Sequence, residues 1–417
     1  MVKAETEDTT RGSAASGAPG WRLALILLGI LVTPVVLSAP TLGTGLPMGS
    51  MIAAILVGAV ILTLLASLTL SIGQHARQPT YDIVRFPFGR LGAKAVTVLL
   101  AVSLFGWSAV TANGFGLAVS NLLSTSFGIS VPLPILVTIG CIIFVASTAF
   151  GFEVIGKVAQ WAVPVIVLIL GFLVFQSLSA GLSAHAQSGS MPWGVAVSTV
   201  VGTAIVLVVT AADFGSFTRS RKHAIVGAIL TFLVAYPLLY VAGAIPSVLT
   251  GKGSLIDAMG IIASVVPAII LMVIASVTAN AGNMFQGTLA FANLFNIVRK
   301  KWMLTVALGI GVAVIGSMDV GAWLPSFLLF LGVAAPPVAG IYIVDFALYR
   351  RRGYDESVLK SQPAVRLDTY AIWFAGSILG FLCANGILTI TSVPSLDSLL
   401  FSALLYGALG LIRRQRA

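Results

Sequence analysis

Twelve separate stretches of this chain are long and apolar enough to cross a lipid bilayer, since a membrane helix needs roughly 20 mostly apolar residues. Numbered first to twelfth, they are approximately 21–39, 49–73, 93–121, 131–151, 158–181, 193–213, 224–246, 259–287, 303–320, 322–345, 369–389 and 396–412. Only 9% of the 417 residues are charged and 58% are hydrophobic, which excludes a water-soluble fold. The sequence therefore predicts an all-α integral membrane protein with 12 transmembrane helices.

The distribution of basic residues supports this count of segments. With the N-terminus inside, 22 of the 23 Lys and Arg residues fall on the cytoplasmic side, and only Lys252 falls outside. The positive-inside rule predicts such a split. The net charge of +10 is then explained by topology and by membrane lipid, and no nucleic-acid partner is expected. We predict a multi-pass protein of the cell inner (plasma) membrane with both termini cytoplasmic.

The segments group into two halves of similar length. Residues 21–181 hold the first five segments and 193–345 the next five. Because five is odd, a second copy of the unit lies upside down, which predicts a 5+5 inverted repeat. A cytoplasmic loop at 346–368 and two further helices at 369–412 follow. The ends, 1–20 and 413–417, are predicted to be cytoplasmic tails, the first of them disordered, and a cleaved signal peptide is not expected.

Each half contains a candidate break in its first helix, and transporters with inverted repeats bind substrate at such breaks. Thr33 and Pro34 lie in the middle of the first segment, where proline frees a backbone carbonyl. Gly202 and Thr203 lie in the middle of the sixth. Glycine and proline are also common in ordinary membrane helices, so each break alone is weak support for a site.

The middles of the predicted spans contain no Asp, Glu, Lys, Arg or His. Charged groups at that depth usually mark a proton relay or an ionic substrate site, so a neutral substrate fits better. An anionic substrate held by helix N-termini stays open. An intramembrane enzyme would need a catalytic set at depth, so no enzyme activity and no cofactor are expected. Cys141 and Cys383 lie in apolar runs, which excludes a disulfide framework.

Polar side chains do occur at depth, mainly in the third and eighth segments. Trp107 offers a stacking surface away from the membrane interface. Asn280 and Asn283 are three residues apart, share a helix face, and suit a planar heterocycle with ring N–H and C=O groups. The alternative is that such residues only hold helices together. At the cytoplasmic helix ends, Asp213 and Arg85 are candidate gating residues, and an ion pair of Asp213 with a nearby arginine is one interpretation.

Several motifs in order resemble the nucleobase–cation symporter family of the cytosine permease and hydantoin permease type, most closely its cytosine-permease branch. They are 41–46 (TLGTGL), 85–89 (RFPFG), 106–107 (GW), 210–214 (TAADF), 291–293 (FAN), 335–340 (APPVAG) through Asp345, and 350–352 (RRR). The resemblance covers nearly the whole chain. It implies a leucine-transporter-like fold of ten core helices plus two, and uptake by alternating access.

The resemblance also implies roles for individual residues. Substrate would lie between helices 1, 3, 6 and 8, against Trp107, Thr203 and Asn280. A sodium ion would be held by the set Gly29, Val32, Ala275, Thr278 and Ala279, and H+ is the alternative coupling ion.

Four positions depart from the cytosine-permease pattern. Leu104 replaces a glutamine, Ala204 an aromatic residue, Val206 a serine and Ala279 a hydroxyl residue. These departures indicate a changed substrate and a weakened or absent sodium site. We expect import of a neutral nucleobase-like heterocycle, such as cytosine or a related pyrimidine or purine. The alternatives are a hydroxymethylpyrimidine thiamine precursor or another heterocycle and, less well supported, an amino acid or small anion.

Overall fold

The computed structural model describes residues 17–149, 152–182, 191–262, 265–297, 301–388 and 390–416, and these are mostly helical. We number the longer helices α1 to α12 in chain order. The first six are α1 (Gly20–Gly45), α2 (Met48–Ala76), α3 (Ala93–Phe127), α4 (Leu133–Ala149), α5 (Phe152–Ser179) and α6 (Trp193–Val209). The others are α7 (Arg221–Thr250), α8 (Val266–Leu294), α9 (Lys301–Gly316), α10 (Val320–Ala334 and Pro336–Asp345), α11 (Leu367–Ala384) and α12 (Pro394–Arg416).

Shorter helical pieces connect or extend these helices. They are Thr80–Ile83, Arg85–Phe88, Ala212–Gly215, Leu255–Ile262 and Glu356–Ser361, with π-helical turns at Ile229–Ala235 inside α7 and Phe346–Arg350 after α10. The predicted loop at 346–368 is therefore partly helical.

The described residues form a helical membrane architecture. Among them, eight helices are long and apolar enough to cross a bilayer, and α1 makes a ninth if its two bent halves count as one span. Helices α4, α6 and α9 are apolar but shorter. The all-α membrane class is confirmed, and the count of twelve spans stays a prediction.

The first helix bends where the sequence predicts an irregularity. Its halves, Gly20–Thr33 and Val35–Gly45, meet at an angle of 59°. A proline lacks the N–H that would bond to the preceding turn, so a bend at Pro34 has a direct physical cause. The chain nevertheless remains helical on both sides, and α1 reaches Gly45 rather than ending near residue 39.

The predicted break at Gly202 and Thr203 is wrong. Helix α6 runs without interruption from Trp193 to Val209, and the chain leaves the helix only at Thr210. Glycine lowers helix propensity but keeps its backbone N–H, so α6 has no cause to unwind there. The Thr203 hydroxyl bonds back to the Thr199 carbonyl at 2.8 Å, within the same helix.

Other predicted boundaries also move. Helix α8 extends to Leu294, so the 291–293 motif lies within the helix and not after it. Helix α12 continues to Arg416, over residues predicted to form a tail. Residues 1–16 of the predicted N-terminal tail lie outside the described residues, but Ala18 is held by a bridge to Thr218.

The connections that carry most of the arginines meet at one end of the bundle, which we call the basic end. Arg77 donates hydrogen bonds to the carbonyl oxygens of Ser216 and Thr218 at 3.0 and 2.8 Å. The Arg350 guanidinium lies 4.8 Å above the Phe86 ring. At the opposite end, the Trp193 side chain donates to the Ser50 carbonyl at 3.2 Å.

Helix α8 lies at the centre of the bundle and packs against α1, α3, α4 and α5. Helix α1 also packs against α7, and α2 packs along α6. Near the basic end, α2 approaches the backbone of the short helix after α6 closely. A Cβ on Gly73 would lie 2.5 Å from the Ala212 Cα and would overlap its carbonyl oxygen.

We therefore expect Gly73→Ala to destabilise the protein by about 1–3 kcal/mol, because backbone atoms must move to admit the methyl group. The readout is the midpoint of thermal unfolding of the detergent-purified protein. The matched control is Gly171→Ala in α5, where an added Cβ meets no atom within 4 Å. Alanine there favours the helix by about 0.5–1 kcal/mol, so equal stability of the two variants would contradict the close approach.

Candidate functional site

A small cavity lies between α1, α3, α6 and α8, the four helices that the resemblance implicates. Its lining residues are Ile30, Leu31, Leu104, Trp107, Thr203, Val206, Leu207, Asn283 and Gln286. Its volume of about 20 Å³ is room for about one water molecule. Binding of a heterocycle therefore requires these helices to separate.

Trp107 forms the aromatic wall of this cavity and is nearly buried. The Phe327 ring of α10 packs edge-on against it, with ring centroids 6.1 Å apart and an interplanar angle of 70°. Gly106 makes this approach possible, because a Cβ there would overlap the Phe327 ring. Sequence reasoning missed Phe327, although its spacing of four from Trp323 placed two aromatic residues on one helix face.

The α6 side of the cavity is largely apolar. Val206 and Leu207 line it, and Ala204 is buried close by. Thr203 is the polar exception, and its hydroxyl belongs to a network that joins three helices. Tyr240 of α7 donates to Thr203 Oγ1 at 2.8 Å and shares a hydrogen bond with Ser38 Oγ of α1 at 2.7 Å.

Gly202 lies beside a different and larger cavity of about 300 Å³, lined from α6, α10, α11 and α12. A Cβ on Gly202 would meet no atom within 4 Å, so the glycine leaves this space open. Thr203 lines both cavities, whereas Gly202 lines only the larger one. The structure therefore separates Gly202 from the cavity that contains Trp107.

Helix α8 carries buried amides whose hydrogen-bonding capacity is not used within the described part of the chain. Asn280 is fully buried, and neither its Nδ2 nor its Oδ1 has a partner there. Asn283 Nδ2 and Gln286 Oε1 are likewise without partners among the described residues. A buried polar group without a hydrogen bond is costly, so these amides point to a ligand that completes them.

Thr33 on α1 adds a hydroxyl to this polar set. Its side chain is fully buried beside the bend, and its Oγ1 has no partner among the residues that the structure describes. Among the predicted site residues the unbonded groups thus lie on α1 and α8, while the buried hydroxyls of α3 are used. Ser108 and Thr111 bond to carbonyl oxygens one turn earlier in their own helix.

The residues of the predicted sodium site come together only in part. A Cβ on Gly29 would lie 3.5 Å from Thr278 Cβ and 3.4 Å from Ala159 Cβ, so α1, α5 and α8 meet there. Thr278 Oγ1 donates to the Ala275 carbonyl at 2.8 Å. Val32 and Ala279 are buried but have apolar side chains. A cation at this junction would therefore be bound by Thr278 and backbone carbonyl oxygens.

Asp213 and Arg85 take part in separate interactions. Asp213 is almost fully buried, and its Oδ1 accepts the Thr80 backbone N–H at 2.7 Å. Arg85 Nη1 lies 3.3 Å from Asp82 Oδ1, and both side chains are about one-third exposed. Among the described residues Asp213 accepts hydrogen bonds from neutral donors, the Thr80 backbone and the Gln286 amide, which contradicts the predicted ion pair with an arginine.

Gln286 is the main functional candidate that sequence reasoning did not select. It lines the cavity with Trp107 and Asn283, and its Nε2 bonds to Thr210 Oγ1 at 2.8 Å. The signal in the sequence was its spacing of three from Asn283, which placed both amides on one face of α8.

Comparison with known proteins adds three findings. A family of permeases for cytosine/purines, uracil, thiamine and allantoin matches residues 19–393. Cytosine permease of Escherichia coli (strain K12) is 28% identical over 321 residues, which cover 75% of this chain and 74% of that permease. Allantoin permease of Bacillus subtilis (strain 168) is 25% identical over 329 residues, which cover 70% of this chain and 63% of that protein.

Among solved structures, the fold is similar to that of Mhp1, a nucleobase-cation-symport-1 family transporter, in a closed conformation with bromovinylhydantoin bound. The TM-score is 0.83 at 20% sequence identity, and the match covers 95% of this chain and 92% of that chain. The helices described above therefore have the arrangement of a membrane transporter.

The network around Tyr240 gives a stability prediction. Tyr240→Phe removes the bonds to Ser38 and Thr203 while keeping the ring, and each lost bond costs about 0.5–1.5 kcal/mol. We expect a clear fall in the thermal unfolding midpoint. Tyr349→Phe, which loses a single partly buried bond to the Gly410 carbonyl, is the control and should cost less. Equal losses would argue against the network.

Proposed function

The chain belongs to the family of permeases for cytosine/purines, uracil, thiamine and allantoin, and from this premise we propose which substrate and ion it carries. It is a nucleobase-type secondary transporter and not an enzyme. We propose that it imports a neutral nucleobase-like heterocycle, cytosine or a related pyrimidine or purine, by cation-coupled alternating access.

One observation supports this substrate class above the others. Trp107 and the two amides of Asn283 and Gln286 line one cavity, and atoms of both amides are left without partners. An aromatic face binds a planar ring by stacking, and an amide both donates and accepts at its edge. The relatives fit this chemistry, since one is a cytosine permease and Mhp1 has bromovinylhydantoin bound.

The apolar α6 wall favours a second candidate within the same class. Positions 204 and 206 hold alanine and valine, so they lack the aromatic ring and the hydroxyl of the cytosine-permease pattern, and Thr203 is the polar residue of that wall. A larger or more apolar heterocycle, such as a hydroxymethylpyrimidine thiamine precursor, would fill the space. A carrier for amino acids or small anions is less well supported, because the residues that line the cavity carry no charge.

We propose that the coupling ion, if it is sodium, binds at the junction of Gly29 and Thr278. The cation would be held by Thr278 Oγ1 with backbone carbonyl oxygens near Gly29, Val32 and Ala275. Sodium is a hard cation that prefers oxygen ligands, and the residues of this candidate set offer neutral oxygens. With a single side-chain hydroxyl, we expect weak sodium binding, and proton coupling is the alternative.

The topology belongs to the same proposal. We propose twelve spans in the inner membrane, with helices 1–5 and 6–10 as inverted repeats and both termini cytoplasmic. The basic end would then face the cytoplasm, in keeping with the positive-inside rule. The bent α1 and the contracted cavity would support alternating access, in which ligands shift the population between conformations.

The substrate site can be tested with two buried asparagines. Asn280→Ala removes a side chain without partners, so we expect little or no loss of thermal stability together with loss of uptake. Asn113→Ala is the matched control, because Asn113 Nδ2 donates to the Gly316 carbonyl at 2.9 Å. That substitution should lower stability by about 1 kcal/mol.

The readouts are the unfolding midpoint and uptake of labelled cytosine, uracil, hypoxanthine, hydantoin, allantoin and hydroxymethylpyrimidine into proteoliposomes. Trp107→Ala should also abolish uptake of the transported compound in protein that remains folded. Normal uptake in both Trp107→Ala and Asn280→Ala would refute this site assignment.

The cation site can be tested with two variants, one that removes a hydroxyl group and one that adds a hydroxyl group. Thr278→Val keeps the side-chain shape and removes the one side-chain oxygen of the candidate set Gly29, Val32, Ala275, Thr278 and Ala279, so sodium-dependent thermal stabilisation should disappear. Ala279→Thr adds a second hydroxyl and should lower the sodium concentration needed for half-maximal stabilisation. If wild type and both variants respond equally to sodium and to potassium, the sodium site is wrong and proton coupling is favoured.

A further inference from the structure

The Gln286 side chain is held in one orientation by three acceptors around its nitrogen. Nε2 lies 2.8 Å from Thr210 Oγ1, 3.4 Å from the Thr210 carbonyl and 3.4 Å from Asp213 Oδ2. A carbonyl and a carboxylate only accept hydrogen bonds. The Thr210 hydroxyl donates its own hydrogen to the Val206 carbonyl at 2.8 Å, so toward Gln286 it accepts. The amide nitrogen must therefore face this group.

The oxygen of the same amide is consequently the atom left for a ligand. Gln286 lines the cavity beside Trp107, and its Oε1 is buried without a partner among the described residues. Asn283 differs, because no described hydrogen bond holds its Nδ2. The Asn283 amide is free to turn and to match either a donor or an acceptor on the ligand. Gln286 presents an acceptor only.

We propose that Gln286 Oε1 is the specificity-determining acceptor of this transporter, and that it recognises a ring N–H of the substrate. Asp213 and Thr210 are positioning residues that keep the oxygen toward the cavity. The inference rests on the proposed function and narrows its substrate class to heterocycles with an unsubstituted ring N–H at this edge. A ring nitrogen that is alkylated at this edge leaves Oε1 unpaired and adds bulk in a tight cavity.

The orientation of Gln286 also depends on the basic end of the bundle. Asp213 Oδ1 accepts the Thr80 backbone N–H at 2.7 Å. The Tyr81 hydroxyl donates to the backbone carbonyl oxygen of Gln286 at 3.3 Å. The segment between α2 and α3 is thus bonded to the residues that orient the acceptor. The Thr80–Asp213 bond thus helps to hold the carboxylate that orients the acceptor.

The test compares ligands that differ by one N-methyl group. Uracil and cytosine, and each of their singly ring-N-methylated derivatives, compete for binding to the purified full-length protein. In wild type we expect N-methylation at one ring position to weaken binding about 10- to 100-fold, the cost of an unpaired buried acceptor. In Gln286→Leu this ratio should fall to within about threefold.

A second variant tests orientation separately from the presence of the amide. In the double variant Thr210→Val with Asp213→Asn, Gln286 Nε2 loses two acceptors, Thr210 Oγ1 and Asp213 Oδ2. The side-chain oxygen of residue 213 can still accept the Thr80 backbone N–H. The amide can then turn, so discrimination should fall although the glutamine remains. The control is Thr288→Val on the same helix, whose hydroxyl bonds to Thr305 at 3.0 Å, and it should keep the wild-type ratio.

The outcomes separate this inference from the proposed function. If Gln286→Leu keeps the wild-type ratio, or if wild type binds parent and N-methyl compounds equally, the inference is overturned and the transporter assignment stands. If no heterocycle binds wild type at all, the proposed substrate class fails and the inference fails with it.

Discussion

A polar side chain buried in an apolar helix bundle can bond only to the bundle or to a ligand, and the candidate site in this molecule is built on this constraint. Most buried hydroxyls satisfy it by bonding to the preceding turn of their own helix, as Ser108 and Thr111 do on α3. Exposed amides can do the same, as Asn121 and Asn385 show, but an amide has more donors and acceptors than one such bond uses. The buried amides of Asn280, Asn283 and Gln286 on α8 keep atoms without partners in the described structure, which makes them the candidates for substrate recognition. Asn283 and Gln286 line the cavity beside Trp107, whereas Asn280 is not among its lining residues.

The two halves of the molecule meet this constraint differently. In α1 a proline removes one backbone bond and bends the helix by 59°, with the unbonded hydroxyl of Thr33 beside it. In α6 the helix stays intact through Gly202, and the polar role passes to the Thr203 hydroxyl, which Tyr240 of α7 bonds. A proline forces a departure from helix geometry, whereas a glycine only permits one. At Gly202 the helix stays regular.

The sequence was sufficient for the class of fold, because twelve apolar segments and a one-sided charge distribution are properties of composition and order. It also selected Trp107, Thr203 and Asn283, which the structure brings to one cavity. It failed for the break at Gly202 and for the ion pair of Asp213 with an arginine, and it did not address the orientation of Gln286. Arg85 lies beside Asp82 and not beside Asp213. The amide of Gln286 is oriented by Thr210 and Asp213, which tertiary packing brings to it. No local pattern encodes the partners of Gln286, since Thr210 and Asp213 lie 76 and 73 residues away in the chain.

The position of α8 suggests how substrate and ion would be coupled. One face of α8 meets α1 through Gly29 with Thr278 and through Ile30 with Gly282, where an added Cβ on either glycine would touch the partner side chain. An adjacent face carries Asn283 and Gln286 into the cavity that Ile30 and Leu31 also line. Any movement that widens this cavity by separating α1 from α8 also separates the residues of the candidate cation site. A cation that holds α1 against α8 would therefore be compatible with a bound heterocycle if the cavity widens by movement of α3 or α6, and α8, which carries residues of both sites, would then link the two binding events.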